Sequence, residues 1–294
     1  MKKTGGYIFV ILSSIGFGLS PLLASFVTAY GVGSIMMTFM NTIFLIPLFL
    51  ILCLAAKKPL SISRKQFCSI FILALSDSVL TTTFLFSSYQ HLDGGTATSL
   101  NFTFPVFVII FGMLFYKEKP SRQVFISFLF CTAGVLFFCS PSGNFTWKGF
   151  TLALLSGVFY GFYVLYLDKS GILEEMGYLS FTFWMMLISS VILLPVTILF
   201  GQFSFAIPPA GWLFSLLFAL DTGFVAVVFL EIGIVRIGSM RASILGAVEP
   251  ITSIAAGAIF LNESVTVQVV CGCILILISV FILVAEGNRI TEES

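Results

Sequence analysis

Ten stretches of about 20 residues, each nearly free of charge, follow one another along this chain with only short connections between them. They lie near 6–29, 33–55, 67–89, 95–116, 122–140, 148–168, 178–201, 209–235, 239–260 and 266–286. A hydrocarbon core of about 30 Å is crossed by about 20 helical residues rising roughly 1.5 Å each. Every stretch therefore has the length of a membrane span. Composition leaves no other solvent: 59% of the 294 residues are hydrophobic, 9% are charged, and the mean hydropathy is +1.12. A soluble domain keeps about a quarter of its residues charged. Lipid cannot satisfy a bare peptide group, so the spans are predicted to be helices and the fold all-α. The connections carry turn chemistry, as in Tyr30-Gly31-Val32-Gly33, Lys57-Lys58-Pro59, Asp93-Gly94-Gly95, Lys119-Pro120, Ser140-Pro141-Ser142-Gly143 and Pro208-Pro209. The first apolar run, from Tyr7 to about Ala29, has no small-residue cleavage site and reads as a retained span.

The basic residues orient the spans. With the N-terminus inside, the inner segments hold Lys2, Lys3, Lys57, Lys58, Arg64, Lys65, Lys117, Lys119, Arg122, Lys169, Arg236, Arg241 and Arg289. The outer segments hold only Lys148, which leaves 13 of the 14 basic residues on one side. Nine or eleven spans would destroy this split. Both termini are thus expected in the cytoplasm, with the chain in the inner (plasma) membrane.

The sequence also repeats itself. At an offset of 143, Gly6, Ser13 and Gly18 fall on Gly149, Ser156 and Gly161. At 144, Asp77 falls on Asp221; at 145, Pro105 falls on Pro250 and Glu118 on Glu263. Six matches in order argue for a duplicated five-helix unit, residues 1–143 and 144–294. Five is odd, so the second copy enters the membrane from the other side. The charges agree: the basic second connection (Lys57, Lys58, Arg64, Lys65) corresponds to 201–210, which has no Lys or Arg. Inverted repeats are the architecture of alternating-access carriers, with the substrate site near the midplane between the halves.

The second half reads Gly238 through Glu249-Pro250, an apolar span to Leu261-Asn262-Glu263, and a last helix. The first reads Gly94 through Phe104-Pro105, then Tyr116-Lys117-Glu118, then a helix with Gly134. Over essentially the whole chain this resembles the EamA-type transporters of the drug/metabolite transporter superfamily. The resemblance implies ten helices around a central cavity lined by the first, third, fourth, sixth, eighth and ninth. It implies transport of amino acids, other metabolites, choline or sugars, often outward. The second repeat matches the Glu-Pro pair; the first carries Phe104-Pro105 instead.

Ionisable residues inside lipid are costly and point to function. Asp77, Asp221 and Glu249 lie about halfway along the third, eighth and ninth spans, and no Lys or Arg lies as deep. Such carboxyls are either protonated or visited by a cation. The structural alternative is that the two aspartates hydrogen-bond neighbours such as Thr81, Thr82 and Thr222. Asn101 is a substrate contact or interhelical glue, as is Asn41. Tyr160, Tyr163 and Trp184 could hold a cation on their ring faces or simply pack. Glu231, with Arg236 and Arg241, forms an ion pair or an inner gate. Glu118 and Glu263 cap helix ends, and His91 sits in an outer connection. Ser14 to Gly18 and Gly157 to Gly161 are close-approach seams, and Pro21, Pro47, Pro105, Pro195 and Pro250 are bends.

The six cysteines form no CxxC pair and read as packing residues, not as disulfides or metal ligands. No Gly-rich phosphate loop, HExxH or GxSxG occurs, so the chain is expected to need no cofactor or metal and not to be an enzyme. A net charge of +1 gives no footprint for nucleic acid. The expected partners are the bilayer, a small-molecule substrate and protons, with the chain a monomer or weak dimer. The reading is a secondary carrier of an amino acid or other amine-bearing metabolite, with export implied by the resemblance. An uptake carrier for an organic cation such as choline, an embedded enzyme and a channel are the alternatives. A reporter active only in the cytoplasm, fused after Arg289, should be active, and one inserted at 201–210 silent. Activity at both sites would break the ten-span count.

Overall fold

The computed structural model describes residues 3–88, 91, 97, 100–138, 146–260 and 266–292. Lys2, the turns at 93–95 and 140–143, Cys139, Leu261, Asn262, Glu263 and the expected repeat boundary at 143/144 lie outside them. Within them the regular structure is helical throughout. The first half holds α1 (Lys3–Ala29), α2 (Ser34–Ala55) and α3 (Arg64–Ala74), which runs through a π turn (Leu75–Thr81) into α4 (Thr82–Ser88). Helices α5 (Phe104–Tyr116) and α6 (Arg122–Phe138) follow. The second half holds α7 (Trp147–Ser170), a short α8 (Ile172–Met176) and α9 (Tyr178–Leu199). Next, α10 (Pro209–Phe218) runs through a second π turn (Ala219–Ala226) into α11 (Val227–Ile237). The last helices are α12 (Ser239–Leu245), α13 (Val248–Phe260) and α14 (Val267–Glu292).

Seven helical runs among the described residues are long and apolar enough to cross a membrane: Gly5–Ala29, Ser34–Ala55, Arg64–Leu85, Trp147–Ser170, Tyr178–Leu199, Pro209–Ile237 and Ser239–Phe260. Three shorter apolar helices, Phe104–Tyr116, Arg122–Phe137 and Val270–Ile282, fall in the fourth, fifth and tenth expected stretches. Large apolar side chains such as Leu114, Phe115 and Phe281 stand exposed, as lipid-facing residues do. The chain is a multi-pass membrane protein. Helix starts carry the expected chemistry: Ser63 and Gln66 form a capping box on α3, and Thr146 accepts from Gly149 N on α7. Helix α8 was read as plain connection. It forms because Gly171 and Gly177 take positive φ at its ends while Ile172, Leu173 and Met176 bury against the core.

The halves interlock. Helix α1 packs on the α10–α11 run and on α13, while α7 packs on the π turn after α3, on α4 and on α5. Each repeat's first helix thus sits against the third and fourth helices of the other. Likewise α2 packs on α9, and α6 on α14. The matching glycines show why. A Cβ at Gly161 would lie 2.9 Å from the carbonyl oxygen of Phe104, and one at Gly18 would lie 2.7 Å from that of Glu249. Helices α7 and α1 therefore run against the backbone of α5 and α13 where only glycine fits.

Irregular backbone recurs at matched places. The chain turns at 102–103 just before α5 and at 246–247 just before α13. Pro105 and Pro250 were expected to bend continuous helices. They instead stand in the first turns of new helices, where the missing N–H leaves nothing unpaired. Helices α1, α2 and α9 do continue through Pro21, Pro47 and Pro195.

Adding a methyl at either seam forces backbone apart. Gly18→Ala and Gly161→Ala should each destabilise the detergent-solubilised protein by about 1–3 kcal/mol, the usual result of overpacking. A melting temperature unchanged in both would contradict the close approach.

Candidate functional site

The two π turns hold the central acids. Asp77 is the third residue of the first π turn, and Asp221 is the third of the second. A π turn widens the ladder to i→i+5 and leaves backbone groups to be paired by other means. Hydroxyls do this. Thr81 Oγ1 donates to Ser76 O at 2.9 Å and Thr82 Oγ1 to Asp77 O at 3.2 Å. Across the interlock, Ser13 Oγ donates to Ala226 O at 2.7 Å. The threonines expected to bind the aspartate carboxylates therefore serve the backbone, and those carboxylates gain no bond from them.

Where α1, α5, α7, α11 and α13 meet, a cavity of about 10 Å³ is lined by Ser14, Phe17, Phe104, Tyr160, Leu230 and Glu249, among others. That is room for about one water. Tyr160 stacks on Tyr163 at 5.9 Å and meets Phe104 edge-on at 4.6 Å. Glu249 and Asp77 lie within electrostatic reach of Tyr160, and Asp77 and Glu231 within reach of Tyr163. Asp77, Glu231 and Glu249 thus string around one tyrosine pair. They do not close into a cage: among the described residues no three His, Cys, Asp or Glu side chains could hold a metal ion.

Asp221 stands apart. Its carboxylate faces α1, with Oδ1 3.5 Å from the Cβ position of Gly16, and its buried Oδ2 has no hydrogen-bond partner. Beside it, Asn41 Nδ2 donates to Thr222 Oγ1 at 2.9 Å. Two further expected contacts have other duties. Asn101 Nδ2 donates to Ser156 Oγ at 2.8 Å, tying the break before α5 to α7. Trp184 Nε1 donates to Leu60 O at 3.1 Å and so anchors the α2–α3 connection. A buried indole N–H needs an acceptor, and in the second turn of α9 the loop carbonyl is what lies within reach.

The ion pair expected of Glu231 does not form. Glu231 accepts from Thr182 Oγ1 at 2.8 Å, and its Oε1 has no hydrogen-bond partner. Arg236 lies five residues on, about 140° around the helix, and its guanidinium covers the Phe9 ring at 4.6 Å. Arg241 begins the next helix, half-buried in α12.

The charge pairing lies elsewhere. Lys169 at the end of α7 pairs with Glu118, which follows α5, and with Asp168 at 3.1 Å. Ser239 Oγ at the start of α12 donates to the same Asp168 oxygen at 2.8 Å. Three helix ends are joined there. The sequence-based expectation missed Asp168, Lys169 and Ser239, and gave Glu118 only a capping role. Three helix-end groups assigned to the same membrane face were the available signal.

The chain matches the EamA-like transporter family over residues 4–140 and again over 147–285. It is 26% identical over 246 residues to the uncharacterized transporter YoaV of Bacillus subtilis (strain 168), covering 80% of this chain and 82% of that one. It is 32% identical over 99 residues to the UDP-galactose/UDP-glucose transporter 7 of Arabidopsis thaliana, a stretch covering 34% of this chain and 31% of that one. A protein of known crystal structure superposes with a TM-score of 0.75 at 15% identity, covering 97% of this chain and 98% of its own, which shows a shared fold. With both halves matched, the chain belongs to the EamA-like transporter family.

Proposed function

We propose that this chain is a secondary carrier that moves a small amine-bearing metabolite, an amino acid or a close relative, outward by alternating access in exchange for protons. Ten spans with both termini in the cytoplasm are part of this reading, as is a monomer or weak dimer. The observation that carries it is the string of Asp77, Glu249 and Glu231 around Tyr160 and Tyr163, with no Lys or Arg at that depth. Carboxylates and ring faces both attract a cation, and a desolvated ammonium beside them gains strong, charge-assisted bonds. Two interlocked repeats suit a carrier better than an open pore. The centre between them also suits transport better than catalysis, since no nucleophile and base are paired there.

A nucleotide sugar is the substrate class named for one partial relative. Its diphosphate would need Arg or Lys in the cavity. The cavity of this chain is lined instead by one carboxyl, Glu249, by the rings of Phe17, Phe104 and Tyr160, and by serines and apolar groups, so we assign the amine. A quaternary ammonium would use the same ring faces but could not donate hydrogen bonds to Glu249.

The test is flux of a panel of amino acids, primary amines and choline in proteoliposomes. Asp77→Asn and Glu249→Gln should insert normally and each lose at least about tenfold in amine flux, equivalent to about 1.4 kcal/mol of binding. Trp184→Phe, which cannot hold Leu60, should lose stability and keep amine specificity. Full flux in both carboxyl variants would remove the acids from the substrate path.

A further inference from the structure

Glu231 is a deeply buried carboxyl that stands at the edge of the acid string, off the wall of the central cavity. Its side chain is 1% exposed, it lies six residues from the inner end of α11, and it follows Leu230 of the cavity wall. That places it roughly 9 Å along the helix from Ile237. Its only bond partner is Thr182. That hydroxyl has one proton and two acceptors, Glu231 Oε2 at 2.8 Å and Tyr178 O at 2.7 Å. When the hydroxyl serves the carbonyl, Oε2 is left without a donor, and Oε1 has none in either case. An ionised carboxylate in this position would hold a full charge in low dielectric with at most one bond and no counter-ion, which costs several kcal/mol.

The groups that face it are a carboxyl, a phenol and a hydroxyl. Asp77 faces it from the first π turn and Tyr163 from α7, both within electrostatic reach. Thr182 faces it from α9. Along α1, Gly6 and Val10 meet α11 at Gly233, and that helix carries the buried Tyr7 and, as its first residue, Lys3. The two acids of α8, Glu174 and Glu175, point to solvent. Asp221 lies ten residues up the same run, Arg236 is turned onto Phe9, and Arg241 stands half-buried in α12. A sodium ion would need several converging oxygens, and the acids do not converge.

We propose that Glu231 is a proton-binding site, the inner station of a line that runs through Tyr163 and Asp77 to Tyr160 and Glu249 at the central cavity. A proton supplies what the geometry lacks: Oε–H becomes a donor to the Thr182 hydroxyl, which is then free to serve the Tyr178 carbonyl. In the transport cycle this site releases its proton toward the inner face when the helix ends joined by Asp168, Lys169 and Ser239 separate. The proton comes from the outer solution through the opened centre and leaves to the cytoplasm, so one proton moves inward as substrate moves outward. This cycle rests on the transport reading; the binding site itself does not.

The test has two arms. Infrared difference spectra of the full chain in lipid, recorded between acid and alkaline buffer, report the C=O stretch of each protonated buried carboxyl without any substrate. The parent should show such a band, Glu231→Gln should lose it while keeping its other carboxyl bands, and Glu231→Asp should shift it. A spectrum that is the same in Glu231→Gln as in the parent overturns the proposal. In the second arm, proteoliposomes loaded with whichever amine the panel identifies are given an inward proton gradient. The parent's efflux should rise at least about tenfold, and that of Glu231→Gln should stay at its rate without a gradient. A full gradient response in Glu231→Gln also overturns the proposal. If no panel compound moves, the transport reading fails and the infrared arm alone decides the proton site.

Discussion

Hydrocarbon offers a peptide group no partner, and most of this architecture follows from that. Irregular backbone is tolerated only where other helices cover it and side chains complete its bonds. Here the irregular points are one π turn and one helix break in the first half, each repeated in the second about 144 residues on. All four meet the partner repeat's first helix. That helix brings glycine to make room, at Gly18 and Gly161, and a hydroxyl to supply a donor, as Ser13 does for Ala226. Interlocking is therefore what makes the broken helices possible, and the broken helices are what open a polar site in the middle of an apolar bundle.

Charge is distributed with the same economy. At the ends of α5 and α7 and the start of α12, acids and a lysine compensate one another and join helices from both repeats. At the centre, carboxyls lie around tyrosines without a basic partner. Paired charge at a helix end holds two bodies together until they are pulled apart. Unpaired charge at the centre waits for something that arrives from outside. A carrier needs both kinds, one for closing and one for binding.

Hydropathy and the basic residues made the helical class and the span limits legible, because length and charge respond to the bilayer directly. The duplication was legible too: Asp77 and Asp221 do occupy the same place in the same kind of turn. What composition could not show was the π geometry itself, since polar points such as Ser76, Asp77 and Ser78 fit an α-helical run as well. Nor could it show rotation about the helix axis. Trp184, Asn101 and Glu231 look alike as polar points in apolar spans, yet one hooks a loop, one ties two helices and one is buried with a bare oxygen. The expected pairing of Glu231 with Arg236 failed for that reason: five residues place them on different faces of α11.

The central claim is that the centre of this protein is built for a cation. The most direct check is thermal stability of the purified parent in detergent with amino acids, amines, neutral sugars, sugar phosphates and nucleotide sugars. A ligand bound only by the folded state at about 100 times its Kd stabilises it by about 2.7 kcal/mol. The account predicts that such stabilisation appears among the amine-bearing compounds and is absent for the phosphates. Stabilisation by sugar phosphates or nucleotide sugars, with none by amines, would contradict it.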